Sequence, residues 1–279
     1  MRVGIKLSQN APIEDYLQVW RFADEGGFDH VWVMDHLATL GPDDDGPIFD
    51  AWALLAAMAV ATDRVRIGRM VTGNTYRHPG VLAKLATTVD HLSGGRLEFG
   101  VGAGWAEREH AMYGLQFGTV GDRMDRLEEA LGVITSLWTE PRTSFDGRHY
   151  RLEAAVAEPK PVQQPHPPIW IGGSGRRRTL RMVARYADAW NYTGDDIAEF
   201  AELAQVLDGH CADVGRDPAE IRRTVQHRLG DDLDALSASC RAYAAAGASE
   251  FVLVLPWGGG GRQALDLAAQ ALPRLRELG

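Results

Sequence analysis

The sequence predicts a (β/α)8 TIM barrel. Eight short runs rich in β-branched or aromatic residues recur along the 279-residue chain, each is followed by a segment with helical period, and Gly-rich or polar turns gather where the runs end. The runs cover 2–7, 30–34, 65–71, 96–101, 169–172, 188–192, 221–228 and 251–255, short enough to be buried strands. The helical stretches lie near 12–25, 51–61, 79–92, 122–138, 177–186, 197–214, 232–246 and 262–278. Strand alternating with helix implies parallel pairing through right-handed crossovers. In such barrels the chemistry sits at the C-terminal ends of the strands, so the fold also says where to look for a site.

The length suits a single barrel domain spanning 1–279, since α/β barrels commonly use about 250 residues. Hydrophobic residues make up 45% and charged residues 24%, enough to fill a barrel core and its ring of helices. The net charge of −9 argues against a broad surface for nucleic acid or anionic lipid. No apolar run reaches the roughly 18 residues a membrane helix needs, and the chain enters a strand at once, so a cytoplasmic protein is expected. Cys211 and Cys240 fall in predicted outer helices without CxxC spacing and read as free thiols.

Two segments depart from the barrel rhythm. Residues 139–168 form an insertion between the fourth helix and the fifth strand. Asp146-Gly147 predicts a turn between 143–145 and 148–152, hence a small hairpin. Pro159, Pro161, Pro165, Pro167 and Pro168 then favour a stiff extended segment, which serves either as a lid beside a cofactor or as a strap over the barrel edge. Residues 38–47, with Asp43, Asp44 and Asp45 at their centre, form a second loop, which closes over substrate or is a solvated turn.

The strand exits supply the chemistry. Asp35 and His36 end strand two, where a His can exchange a proton near neutral pH and the adjacent Asp can orient the loop. Strand three ends in 71–79 (VTGNTYRHP), where small residues such as Gly73 let a flat ligand approach and Thr72 and Asn74 offer hydrogen bonds; His78 and Pro79 read more simply as a helix start. Strand four ends in Gly100, Gly102 and Gly104, a GxGxG pattern that is a poor dinucleotide fingerprint but leaves room for a planar ring, with Trp105 or Glu109 at its edge. Strand five ends in Gly172, Gly173, Ser174 and Gly175, followed by Arg176, Arg177 and Arg178. Backbone N–H groups at a glycine-rich helix start make a phosphate cradle, and three arginines there oppose the helix dipole unless an anion is bound. No histidine or carboxylate spacing suits a metal. A barrel with a phosphate cradle, a glycine-lined pocket and one well-placed His suits a phosphorylated cofactor that brings its own reactivity.

Residues 71–79 (VTGNTYRHP), 91–96 (HLSGGR), 102–109 (GAGWAERE), 123–129 (RMDRLEE) and 168–175 (PPIWIGGSG) together resemble the luciferase-like monooxygenase superfamily, in particular its actinobacterial branch of deazaflavin (coenzyme F420)-dependent oxidoreductases. The resemblance implies a deazaflavin ring at the strand C-termini and a homodimer. It also implies a non-prolyl cis peptide within 71–74, cofactor phosphate at residues 172–175 with Arg178 close by, and hydride exchange with a small organic substrate assisted by His36. Asp35, Thr72, Gly73, Asn74, Gly102, Gly104 and Trp105 would complete the cofactor site. The chain departs from the related sugar-phosphate dehydrogenases at two places. Trp105 stands where they carry a Glu acid after the strand-four glycines, and residues 191–196 (NYTGDD) hold no Lys for a substrate phosphate. The departures argue against a sugar-phosphate substrate, and the aromatic lining points instead to a less charged organic molecule. An FMN-dependent monooxygenase of the same fold, or a non-catalytic flavin-binding protein, is the alternative.

Overall fold

The computed structural model describes residues 1–40, 46–256 and 261–278. Asp43, Asp44 and Asp45 lie outside the described residues. The strands are β1 (Arg2–Leu7), β2 (His30–Val33), β3 (Arg66–Arg69), β4 (Thr72–Gly73), β5 (Leu97–Gly102), β6 (Thr143–Asp146), β7 (Arg151–Ala155), β8 (Ile169–Gly172), β9 (Ala189–Tyr192), β10 (Arg222–Arg228) and β11 (Glu250–Val254). The helices are α1 (Ile13–Glu25), α2 (Ala51–Ala61), α3 (Pro79–Leu92), α4 (Glu107–Tyr113), α5 (Val120–Thr139), α6 (Thr179–Tyr186), α7 (Ile197–Val214), α8 (Leu233–Ala245) and α9 (Gly261–Arg276). All strands but β6 and β7 pair in parallel, and the sheet closes on itself because β1 pairs β11 while β3 and β4 both pair β5. The result is an eight-staved barrel.

One stave differs from the expected run 65–71. It is interrupted between β3 and β4, and the Met70–Val71 peptide at the interruption is cis. That bond lies one step before the stretch 71–74 in which it was expected. The short helix α4, directly after the strand-four glycines, was also not foreseen; at seven residues it is too brief for a periodicity argument.

The period-two alternation of each strand sorts side chains between two cores. In β1, Val3, Ile5 and Leu7 pack outward under the helices. Arg2 and Lys6 point inward, where Arg2 reaches Glu250 on the adjacent strand β11 and Lys6 reaches Gln226 on β10, one strand further round. The interior middle layer is apolar, built from Trp32, Met70, Trp170, Ala189 and Val252. Trp32 fits inside because a glycine faces it: a Cβ on Gly68 would lie 2.3 Å from its ring. The Trp32 and Trp170 rings meet edge to face with centroids 4.6 Å apart, a favourable aromatic geometry.

The N-terminal end of the barrel is closed by ions. Glu98 is 1% exposed; it accepts from Arg66, from the Trp170 indole and from Arg222 at 3.1 Å. Glu250, equally buried, binds Arg2 at 2.8 Å and Arg222 at 2.9 Å and lies 3.2 Å from His30 Nε2. Burial alone would raise the Glu250 carboxyl, but His30, Arg222 and Arg2 outweigh it and hold it at about 2.

The insertion behaves as two pieces. Helix α5 runs antiparallel to the strands and delivers the chain to this closed end, so the proline segment runs beneath the barrel. Gln163 there donates to the Leu97 carbonyl and to Asp90 and accepts from Arg66, joining the starts of β3 and β5. The proline segment is therefore a strap on the face opposite the strand exits, and the lid reading fails for it. The hairpin β6–β7 instead rises along α5, and its turn brings Tyr150 to Asn74, 3.3 Å from Oη to Nδ2.

Candidate active site

His36 sits just beyond β2, and its backbone is held by a side chain. Gln9, 1% exposed, accepts from the His36 N–H at 2.6 Å and donates to the carbonyls of His36 and Phe49. This fixes the His36 loop against the exit of β1. Asp35 ties the same loop to strand three: it accepts from Gly73 N at 3.2 Å and pairs with Arg69 and Arg77, each at 2.9 Å. The Arg69 guanidinium in turn lies 3.7 Å above the Trp52 ring, a cation–π contact.

The imidazole is oriented by a buried carboxylate. His36 Nδ1 lies 3.0 Å from Glu109 Oε1, in the first turn of α4. Glu109 is 1% exposed and also accepts from the Tyr76 hydroxyl and from the N–H groups of Leu37 and Ala38. Burial pushes this carboxyl up, but the hydrogen bonds from His36 and Tyr76, the His36 charge and the Ala38 N–H more than offset it, so Glu109 stays below the usual carboxylate range. The same contact, after burial, pushes the Tyr76 hydroxyl far above its ordinary value, so Tyr76 remains a donor. An anionic Glu109 assigns the Nδ1 proton to His36 and leaves Nε2 as the exchangeable position.

Beside this pair opens a cavity of about 440 Å³ at the C-terminal ends of the strands. Asp35, His36, Thr72, Gly73, Gly102, Gly104, Trp105, Gly172 and Gly173 all line it. Its other walls include Lys6, Asn191 and Gln226. Trp105 is 66% exposed at the rim, its ring edge-on to His36 with centroids 5.5 Å apart. Thr72 Oγ1 and Asn74 Oδ1 are buried without a hydrogen-bond partner among the described residues, which native interiors rarely leave unanswered.

Four of the predicted residues lie elsewhere. Asn74 is buried behind the wall with its amide on Tyr150. Ser174 and Gly175 belong to the turn before α6, and the Gly173 N–H is taken by the Asn191 carbonyl at 3.1 Å. Arg178 binds Asp125 and the Gly121 carbonyl, and Arg176 binds Glu202. The positive charge at this helix start is thus answered in part by carboxylates of α5 and α7, so the arginines do not by themselves require an anion. His78 caps α3, accepting from Gly80 N. Among the described residues no cluster suited to a metal ion occurs and no helix is long and apolar enough to cross a membrane.

No role was expected from sequence for Gln9, Tyr76, Lys6, Asn191 and Gln226, although Tyr76 stands within 71–79 and Asn191 within 191–196. Three of them, Lys6, Asn191 and Gln226, occupy inward positions within strands, and a polar residue there was the available signal.

The profile of the luciferase-like monooxygenase family matches residues 1–270. An F420-dependent glucose-6-phosphate dehydrogenase of Microbacterium testaceum is 36% identical over 221 residues, 77% of this chain and 64% of that protein. An F420-dependent hydroxymycolic acid dehydrogenase of Mycobacterium tuberculosis is 32% identical over 241 residues, 85% of this chain and 65% of that protein. Among solved structures, an F420-dependent secondary alcohol dehydrogenase in complex with an F420-acetone adduct superposes with a TM-score of 0.85 over 99% of both chains at 20% identity. The chain belongs to the luciferase-like monooxygenase family.

Proposed function

We propose that the protein is an F420-dependent oxidoreductase acting on a small organic substrate, with His36 exchanging the proton that accompanies hydride transfer. The observation that carries this reading is the His36–Glu109 pair at the rim of a glycine-walled cavity. The names of the two sequence relatives support the choice of cofactor. The cavity suits a flat ring: Gly73, Gly102, Gly104, Gly172 and Gly173 present bare backbone to it, and the unpartnered Thr72 Oγ1 offers a hydrogen bond from the wall. In this reading those residues hold the ring together with Trp105. Asp35 and Asn74 position the wall, and the phosphate-bearing tail runs past Gly173 toward Ser174, Gly175 and Arg178.

Bound F420 supplies a two-electron hydride carrier at its C5 position. The protein supplies the proton path. Glu109 holds the ring orientation through Nδ1, so Nε2 faces the cavity and accepts a proton from a substrate hydroxyl during oxidation, or returns it during reduction. Glu109 also stabilises the imidazolium formed in the first case.

The test is a fluorescence titration of the purified protein with F420 and, separately, with FMN at fixed salt. Micromolar or tighter F420 binding with much weaker FMN binding is expected. The reverse preference, or oxygen uptake with reduced FMN, would replace this reading by a flavin monooxygenase.

A further inference from the structure

A second cavity, about 460 Å³, adjoins the first and shares Lys6, Met34, Thr193 and Gln226 with it. Lys6 is the unusual group on this seam. The residue is 9% exposed, and its one hydrogen bond among the described residues is to a neutral acceptor, Gln226 Oε1 at 2.6 Å. The Gln226 amide is held in turn by Asn191 Oδ1 at 2.6 Å, and the Asn191 amide by Thr224. This chain of neutral groups orients the acceptor toward Lys6 without neutralising it. An ammonium has three donors, so two remain for a ligand. No carboxylate among the described residues pairs with Lys6, and Asp35, the acid that lines the first cavity, is already held by Arg69 and Arg77. Burial with no charged neighbour pushes the Lys6 ammonium down to about 8. Arg228, on the next inward position of β10 beyond Gln226, lines the same second cavity and likewise has no carboxylate partner among the described residues. The rest of the wall is largely aliphatic, with Met34, Val254 and Leu255.

A buried, uncompensated cation costs stability and persists where function needs it. We infer that the substrate is an organic carboxylate with an apolar body, its carboxylate seated on Lys6 and Arg228 and its body lying along Met34, Val254 and Leu255. The inference rests on the oxidoreductase reading only for the word substrate; the binding site stands on its own. It also revises the sequence expectation of a less charged molecule. Residues 191–196 lack a cation, but strand one supplies one from an inward position.

The experiment is calorimetric titration of wild-type protein with hexanoate and with hexanamide, its neutral counterpart, in the absence and presence of F420. Hexanoate is expected to bind about tenfold tighter than hexanamide, the worth of one charge-assisted hydrogen bond. Lys6→Met should abolish that preference, Lys6→Arg should keep most of it, and Arg228→Gln, at an exposed position, should reduce it severalfold. Equal binding of acid and amide, a preference surviving in Lys6→Met, or displacement of hexanoate by an equal concentration of inorganic phosphate would overturn the assignment. Should Lys6→Met fail to fold, Lys6→Gln takes its place, and a preference surviving there, or one unchanged in Arg228→Gln, would overturn it equally. A hexanoate preference without F420 binding would retain this site and remove the cofactor reading; F420 binding without the preference would do the opposite.

Discussion

The two ends of the barrel use ionisable side chains in opposite ways. At the closed end, Glu98 and Glu250 are buried and each meets more than one cation, with Arg222 bridging both. At the open end, Lys6 is buried against a neutral amide, and His36, on the wall of a cavity, is engaged among the described residues through Nδ1 alone. The contrast separates charge placed to be satisfied from charge placed to meet something else. Strongly shifted groups occur at both ends, so a perturbed pKa by itself does not mark a site; the missing partner does.

The contrast breaks most visibly if a carboxylate is removed from the closed end. Glu98→Ala leaves the Trp170 indole without its acceptor, Arg66 with only the neutral oxygens of Gln163 and Leu97, and Arg222 with Glu250 as its one remaining carboxylate among the described residues. Loss of one member of a buried ion cluster costs roughly 3–5 kcal/mol, which urea unfolding would read as a lowered midpoint. An effect under about 1 kcal/mol would put the closed end among weak surface pairs. His36→Ala should do the reverse. It leaves Glu109 with Tyr76, Leu37 and Ala38, so stability should change by about 1 kcal/mol or less. Turnover of F420 with an accepted substrate should fall roughly 10²–10⁴-fold, the range for a general acid–base group. Unchanged turnover in a folded His36→Ala protein would remove His36 from the chemistry.

The sequence and the structure agree most closely where periodicity is strong. The runs 2–7 and 169–172 match β1 and β8 to the residue, and 51–61 and 79–92 match α2 and α3. His36 was legible because strand ends are where barrel chemistry lies. Glu109 was legible only as an edge residue, since its contact with His36 spans 73 positions and depends on a seven-residue helix. Lys6 lay in plain view inside a strand, but its role follows from what it meets inside the barrel, Gln226, 220 residues away. The three arginines after Gly175 do not by themselves call for an anion, for the same reason: the carboxylates that answer two of them, Asp125 and Glu202, stand on other helices. Local pattern reports which residues point inward; it does not report who meets them.

The smallest expected effects are in the pH dependence of stability, and they sharpen the comparison because the two ends respond in different windows. Glu250 has its folded pKa depressed from 4.5 to about 2, so its contribution is complete above about 4.5 and is lost as pH falls toward 2. Comparing wild type with Glu250→Gln should therefore show the stability gap closing below pH 4.5, by on the order of 2 kcal/mol at pH 3. Lys6 is depressed from 10.5 to about 8, so folding carries its full penalty below 8, and the penalty fades between 8, where the folded lysine gives up its proton, and 10.5, where the unfolded chain does so too. Lys6→Met should thus be more stable than wild type at pH 7, by on the order of 1 kcal/mol once the stranded Gln226 oxygen is counted, and the difference should vanish or change sign above pH 10.5. Destabilisation by Lys6→Met at pH 7 would mean that the open end satisfies its lysine after all, and the distinction between the two ends would fail at its most exposed point.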